Sequence, residues 1–473
     1  MNASASNLEV VILAAGLGTR MKSATIKILH RAAGRPIVDY VLDLSAGLCD
    51  RPPVMIIGHQ REAVQSAIGE RARYAVQAEQ LGTGHAVLQA ASVLEAEGVA
   101  GKKILILSGD VPLTRPGTLQ RLLDEHDRAG NALTLLTMKL PDPAMYGRII
   151  RDGGGAVQRI VEAKDASAEE KRIDEVNAGI YVFSGEHLFD NLRNLSNSNA
   201  QGEYYLTDLL ATLREAGHRV GALIADDPIE ALGVNSRSDL AQVEGEIQRR
   251  VVQKLMAEGV TFRNPATVVI DSTVTIGRDT VVYPFVTLEG TTSIGEGCVI
   301  DPGSHLVNVT VGDDVHIKTG TVAEDAVIEK AASVGPYAHL RPGTKLGPKV
   351  KVGNFVETKK AVFGAGAKAS HLSYIGDAEI GADVNIGAGT ITCNYDGVNK
   401  HKTVLEDGVF IGSDTQLVAP VRVGKGAYVG AGSTITKDVP ADSLALSRTP
   451  QRVVPEWASR KREEQAAAKA KKQ

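Results

Sequence analysis

The stretch Ile270-Asp-Ser-Thr-Val-Thr-Ile-Gly-Arg-Asp-Thr-Val-Val282 sets an aliphatic residue at every sixth position, at Ile270, Ile276 and Val282. The count runs on through Leu288, Ile294, Ile300 and Leu306. It resumes in new phase at Val311, Ile317 and Ala323, and again at Val334, Leu340, Leu346 and Val352. Ile380 and Ile386, then Ile411, Leu417, Val423, Val429 and Ile435, complete it. A helix repeats at 3.6 residues and a strand at two, so neither explains a period of six. A parallel β-helix does, because each side of its coil is one short strand and one turn. The aliphatic residue fills the narrow interior, and the Gly-, Asp- and Asn-rich residues between turn the corners.

The period fails in two places. Between Val352 and Ile380 lie Phe355-Val-Glu-Thr-Lys-Lys360 and Ser370-His-Leu-Ser-Tyr374. Between Ile386 and Ile411 the chain inserts Thr390-Ile-Thr-Cys-Asn-Tyr-Asp-Gly397. His371 is a candidate general base, since imidazole ordinarily titrates near operating pH. Arg341 and Lys359 offer cations for an anionic ligand. Asn385 and Tyr395 offer polar contacts. On the residues alone, each is equally a corner or turn side chain.

Upstream, residues 8–236 alternate strand-like runs (9–13, 53–57, 103–107) with helical patterns (84–97, 116–129). That alternation specifies an α/β domain with a mostly parallel, Rossmann-like sheet. Ser236-Arg-Ser-Asp239 has the spacing of a helix cap, and Leu240, Val243, Ile247, Val251 and Leu255 follow at near-helical intervals. The expected organisation is an α/β domain over 1–236, a linking helix over 237–258, a left-handed parallel β-helix over 259–455, and a charged tail over 456–473. The tail has no apolar periodicity and reads as a frayed end.

Bulk properties narrow the functional class. The chain has 473 residues and a net charge of −4, which gives no electrostatic case for nucleic acid or an anionic membrane. Its apolar runs, such as 10–15, are too short to span a bilayer. Residues 1–7 lack the basic-then-apolar order of a secretory leader. Cys49, Cys298 and Cys393 lie far apart, without zinc spacing, and suit a reducing cytoplasm.

Leu13-Ala-Ala-Gly-Leu-Gly-Thr-Arg-Met21 follows the first strand. Gly16 and Gly18 let the backbone approach a ligand and aim amides at phosphate oxygens, with Arg20 and Lys27 as cations beside them. Met21 stands where a dinucleotide fingerprint needs its third glycine, and no Gly-Lys-Ser/Thr follows, so neither common phosphate-loop motif applies. Ser108-Gly-Asp-Val-Pro112 ends the strand 103–107. An acid there sits where open α/β sheets bind ligands. Asp110 can hold Mg²⁺ through a hard oxygen and Asn235 can add a second, although each residue also suits a turn.

Taken together, the glycine stretch, the lysine seven residues after Arg20, and Gly109-Asp-Val-Pro-Leu113 resemble the sugar-nucleotide pyrophosphorylase family. So do Gln77, Gly82-Thr83, Tyr146-Gly-Arg148, Glu162 and Asn177-Ala-Gly-Ile-Tyr-Val-Phe183. With the hexads behind, the resemblance narrows to the bacterial bifunctional N-acetylglucosamine-1-phosphate uridylyltransferases/glucosamine-1-phosphate N-acetyltransferases. Ile26 departs from the proline usual there. The resemblance implies that Leu13, Ala14, Ala15, Gly16, Gln77, Gly82, Thr83, Ser108 and Gly109 hold UTP. Arg20 and Lys27 would neutralise phosphates, and Asp110 and Asn235 would bind Mg²⁺. Gly147, Glu162 and Asn177 would contact N-acetylglucosamine. It further implies that His371 is the base for acetyl transfer and that Arg341, Lys359, Tyr374 and Asn385 bind glucosamine-1-phosphate. Ala388, Asn394, Tyr395, Ser413, Ala431 and Arg448 would bind the sugar or acetyl-CoA. A cytoplasmic homotrimer, with sites between neighbouring columns, is implied as well. Two other readings stay open: a monofunctional nucleotidyltransferase whose β-helix only oligomerises or senses effectors, and a scaffold with an inactive transferase domain. His371 and the 385–395 block speak against the first, and Lys27 and Asp110 against the second.

Overall fold

A computed structural model describes residues 7–16 and 18–471. Residues 1–6, most of the polar start, lie outside the described residues, as do Leu17 of the glycine loop and the last two residues of the tail. The chain divides into two compact units, Met1–Gln253 with Ile270–Ser272, and Lys254–Val269 with Thr273–Gln473.

The first unit is built on a mixed, mostly parallel sheet. Across it run Val220–Ile224, Leu133–Lys139, Glu175–Ser184, Lys103–Ser108, Leu8–Leu13, Val54–Ile57 and Arg73–Val76. Glu175–Ser184 is antiparallel to both neighbours, and the hairpin Arg148–Arg151/Val157–Val161 joins it through Val176 and Arg148. Side chains alternate between the faces of a strand. Val10, Ile12, Leu105 and Leu107 therefore feed one core, and Val11, Ile104 and Ile106 feed the other. This two-sided burial is why these strands read as unbroken aliphatic runs.

In-register parallel pairing positions the chemistry. Leu8 to Leu13 pair with Lys103 to Ser108, so the glycine loop and Asp110 leave the sheet at the same edge. Helix Arg237–Ala257 begins with a capping box: Ser236 Oγ accepts from Asp239 N at 3.2 Å, and Asp239 Oδ2 accepts from Ser236 N at 2.8 Å.

The second unit is the left-handed parallel β-helix of hexapeptide repeats. Every aliphatic hexad residue named above is buried. Val281 pairs with Val299, and Val299 with His316, so one coil takes 17 or 18 residues. Asn385 pairs instead with Phe410, because the loop between Cys393 and Thr403 is inserted there. The interior is not wholly aliphatic. Ser304, Thr321, Ser373, Thr390 and Thr415 are buried too. Their hydroxyls donate to nearby backbone carbonyls, as Thr390 Oγ1 does to Gly387 O at 2.7 Å and Thr415 Oγ1 to Gly412 O at 2.7 Å. A carbonyl turned inward at a corner needs such a donor, and a small hydroxyl supplies it within the available space.

The tail differs from the frayed end expected. Trp457–Ala470 is a helix with no buried residue. Its Ala, Lys, Glu, Gln and Arg residues are strong helix formers, so local propensity builds it without a core.

Ile317 is fully buried inside a coil. Ile317→Val should cost about 0.5–1.5 kcal/mol and Ile317→Ala about 2–5 kcal/mol, read as falls in urea midpoint. Small and equal shifts would contradict a close-packed interior.

Candidate functional sites

In the first unit a cleft of about 300 Å³ opens at the carboxyl edge of the sheet. Leu13 to Gly16, Gln77, Gly82, Thr83, Ser108, Asp110 and Lys27 line it, as the sequence implied. Two glycines are required by their surroundings. Gly18 has φ +60°, and a Cβ there would lie 2.8 Å from Lys27 Cβ. Gly82 has φ +109°, and its Cβ would lie 2.6 Å from Tyr204 O. Gly109 N donates to Leu13 O at 2.9 Å, closing the loop onto the strand end.

Charge gathers at one side of the cleft. Lys27 Nζ pairs with Asp110 Oδ2 and donates to Asn235 Oδ1 at 3.3 Å. Arg20 Nη2 donates to the same Asn235 oxygen at 3.0 Å. Val234 N donates to Asp110 O at 2.8 Å, which ties the loop carrying Asn235 to the strand end. Two hard oxygens, Asp110 Oδ2 and Asn235 Oδ1, thus converge on one cation, the ammonium of Lys27. No group of three or more His, Cys, Asp or Glu able to hold a metal occurs among the described residues. Asp110 and Asn235 offer one carboxylate and one amide oxygen there, hard donors of the kind a small divalent cation takes in small number.

Gly147, Glu162 and Asn177 are brought together on neighbouring strands. Asn177 N donates to Gly147 O at 2.9 Å. A Cβ on Gly147 would lie 3.1 Å from Ile160 Cγ2 and 3.5 Å from the Glu162 carboxylate, which places that carboxylate beside the Gly147 backbone. Asn177 Nδ2 donates to Tyr181 OH at 2.6 Å across an irregularity in the Glu175–Ser184 strand. Burial holds the Glu162 carboxyl above its usual range, against the Thr207 hydroxyl that donates to it at 3.1 Å. The charges of Asp208, Asp165 and Glu203 push it further up. Gln80 and Glu203 also line the cleft and were not singled out from sequence. Gln80 lies within the same Gln77–Thr83 stretch, and its Nε2 donates to Ala15 O at 2.8 Å.

In the second unit His371 pairs across strands with Asn354, one coil earlier. Nδ1 of His371 donates to Asn354 Oδ1 at 2.7 Å, which leaves Nε2 free to accept a proton. Asn354 was missed from sequence, although stepping back one coil from His371 finds it. The corner continues from His371 through Ala388, Ser413, Ala431 and Arg448. Gly389 N donates to Leu372 O, Asp414 N to Ala388 O and Gly432 N to Ser413 O, and Arg448 Nη1 donates to Ala431 O at 2.8 Å. The candidate base and four candidate acetyl-CoA residues therefore lie along one corner. Asn394, buried in the inserted loop, donates through Nδ2 to Asp377 Oδ2 at 2.5 Å, and the exposed Tyr395 hydroxyl donates to Gly397 O at 2.5 Å.

Arg341, Lys359 and Tyr374 share one face. Arg341 Nη1 donates to Glu357 Oε1 at 2.7 Å, and Glu357 is the cross-strand partner of Tyr374. Close contact with the Lys400 amine, and then its charge, lowers Lys359 below the usual ammonium range. Two adjacent ammoniums, Lys359 half-buried and Lys400 exposed, suit a phosphate. Lys400, in the inserted loop, was not read from sequence. Asn385 is not with this group: it lies in the other ladder, paired with Lys368 and Phe410.

Comparison with known proteins bears on both units. A nucleotidyl transferase family model matches residues 9–229, and a bacterial transferase hexapeptide model of six repeats matches residues 402–437. The bifunctional protein GlmU of Pelobacter propionicus is 52% identical over 448 residues, covering 94% of this chain and 96% of its own. That of Trichlorobacter lovleyi is 52% identical over 457 residues, covering 96% and 98%. That of Geobacter metallireducens is 48% identical over 477 residues, covering 97% and 100%.

A carboxyl whose folded pKa is raised favours folding in its neutral form. The stability Glu162 contributes is thus complete below its ordinary value of 4.5 and is lost as pH rises through the higher folded value. Glu162→Gln should flatten that decline in urea midpoint with rising pH. A decline steeper than wild type would contradict the burial assignment.

Proposed function

This chain belongs to the family of the bifunctional protein GlmU, and on that premise we propose which residues carry each of its two reactions. The enzyme acetylates glucosamine-1-phosphate with acetyl-CoA, then joins the product to UTP, giving UDP-N-acetylglucosamine and pyrophosphate.

The carrying observation for uridylyl transfer is the convergence of Lys27, Asp110, Asn235 and Arg20 beside the cleft. The sugar-1-phosphate oxygen attacks the α-phosphorus of UTP in line, and pyrophosphate leaves. Both reactants are anions, so catalysis is chiefly positioning and charge neutralisation, and no protein nucleophile is needed. Leu13 to Gly16, Gln77, Gly82, Thr83, Ser108 and Gly109 hold the nucleotide. Arg20 and Lys27 draw phosphate oxygens toward the strand edge. Asp110 and Asn235 would hold Mg²⁺, which supplies further charge neutralisation when bound. Glu162, Asn177 and the Gly147 backbone receive the acetylated sugar.

For acetyl transfer, Asn354 keeps the His371 proton on Nδ1. Nε2 then takes a proton from the glucosamine amine as its nitrogen attacks the thioester carbonyl, and coenzyme A departs as a thiolate that takes up the proton Nε2 received. Arg341 and Lys359 hold the sugar phosphate with Tyr374. Ala388, Asn394, Tyr395, Ser413, Ala431 and Arg448 receive acetyl-CoA.

Asn385 lies in a different ladder from Arg341, Lys359 and Tyr374, so its role fits a site completed between columns. A homotrimer gives that arrangement with closed symmetry. Exposed Phe285, Tyr337, Phe355 and Leu372 support it as apolar groups beside His371 and down the β-helix, with the Tyr337 and Phe355 rings stacked 5.8 Å apart. No helix among the described residues is long and apolar enough to cross a membrane. We place the enzyme in the cytoplasm because its substrates are small soluble metabolites.

His371→Ala should reduce acetyl transfer at least about 100-fold and leave uridylyl transfer unchanged. Asp110→Ala should do the reverse. Free thiol from glucosamine-1-phosphate and acetyl-CoA, and pyrophosphate from N-acetylglucosamine-1-phosphate and UTP, measured in separate reactions, report the two. Equal loss of both reactions in either folded variant would contradict two separate sites.

A further inference from the structure

Gln77 is almost wholly buried, at 4% exposure, in the wall of the nucleotide cleft. Its Nε2 donates to Gly82 O at 3.1 Å and faces His85 Nδ1 at 3.1 Å. A carbonyl oxygen only accepts, so the amide must turn its nitrogen, not its oxygen, toward Gly82. His85 Nδ1 faces that same nitrogen and accepts from it in the tautomer that carries the imidazole proton on Nε2. Gln89 Nε2 lies 3.2 Å from His85 Nε2, but it already donates to the His85 carbonyl oxygen at 3.0 Å. Both amide hydrogens of Gln77 are thus committed to protein, and Oε1 makes no hydrogen bond among the described residues.

We propose that His85 is a positioning residue for base selection: by accepting from Gln77 Nε2, it fixes the Gln77 amide so that only an acceptor, Oε1, meets the nucleotide base. This rests on the assignment of Gln77 to the nucleotide cleft. Uracil offers a donor at N3–H and cytosine an acceptor at N3. A glutamine locked as an acceptor favours the first and repels the second, whereas a freely turning amide serves both. The lock is local. His85 stands on helix Thr83–Leu88, which starts at the strained Gly82, so one turn of chain supplies both the carbonyl and the imidazole that hold the amide.

Steady-state kinetics of the full-length enzyme with UTP and with CTP test this. His85→Phe keeps a ring but has no acceptor. It should lower the UTP-over-CTP ratio of kcat/KM by roughly five- to ten-fold, mainly through KM for UTP, with kcat at saturating UTP kept. His85→Asn puts Oδ1 where Nδ1 stands and should restore the ratio. If His85→Phe does not fold, judged by thermal melting, His85→Leu serves as the acceptor-free variant. An unchanged ratio, or a loss confined to kcat, overturns the proposal, as does failure of a folded His85→Asn to restore the ratio. Gln77→Ala distinguishes the two levels. If it lowers the ratio while His85→Phe does not, only the positioning role falls. If it changes neither the ratio nor KM for UTP, the placement of Gln77 at the base falls, and the proposal with it.

Discussion

In-register pairing of parallel strands is the constraint on which the rest of this protein depends. Each residue of a parallel strand is fixed beside one partner far away in sequence, and every element following the strand inherits that position. In the first unit, pairing of Leu13 with Ser108 brings a glycine loop and a carboxylate to one edge. In the second, pairing of Asn354 with His371 sets an amide oxygen against an imidazole nitrogen. Strand pairing alone brings these two pairs together, and the inserted loop adds Asn394, Tyr395 and Lys400 to the second site.

The two units use charge differently. Beside the nucleotide cleft, Lys27 is shared between Asp110 and Asn235, so cation and hard oxygens are interleaved. That arrangement suits two anionic reactants and a leaving pyrophosphate. On the β-helix face, the Lys359 and Lys400 amines meet with the Asp377 charge near Lys359, and Arg341 is held by Glu357. One phosphate monoester needs no more, and the chemistry proposed there is a proton transfer at His371. The Glu162 carboxyl stands apart from both, since burial favours its neutral form.

The sequence made legible whatever must repeat or must follow a strand. The hexads are readable because interior positions admit little but aliphatic residues, and every one proved buried. The cleft residues are readable because ligands bind at strand ends and because the family motifs recur there. Residues that act through neighbours one coil away were not read. Asn354 and Glu357 are ordinary polar residues until stacking sets them beside His371 and Tyr374. The interior hydroxyls, such as Thr390, were hidden because their need arises from carbonyls turned inward at corners. The tail misled by composition: charged and alanine-rich segments can be unfolded or helical, and Trp457–Ala470 is helical. The Ser236–Asp239 capping box was legible because its contacts are local.

The central claim is that one chain carries two chemistries at separate places, of which only the strand-edge site draws on a divalent cation. The most direct measurement supplies glucosamine-1-phosphate, acetyl-CoA, UTP and Mg²⁺ to the wild-type enzyme, follows free thiol and pyrophosphate separately, and then adds a chelator. The account predicts that pyrophosphate release stops while thiol release continues at its original rate. Loss of both signals together, or persistence of pyrophosphate release, would contradict it.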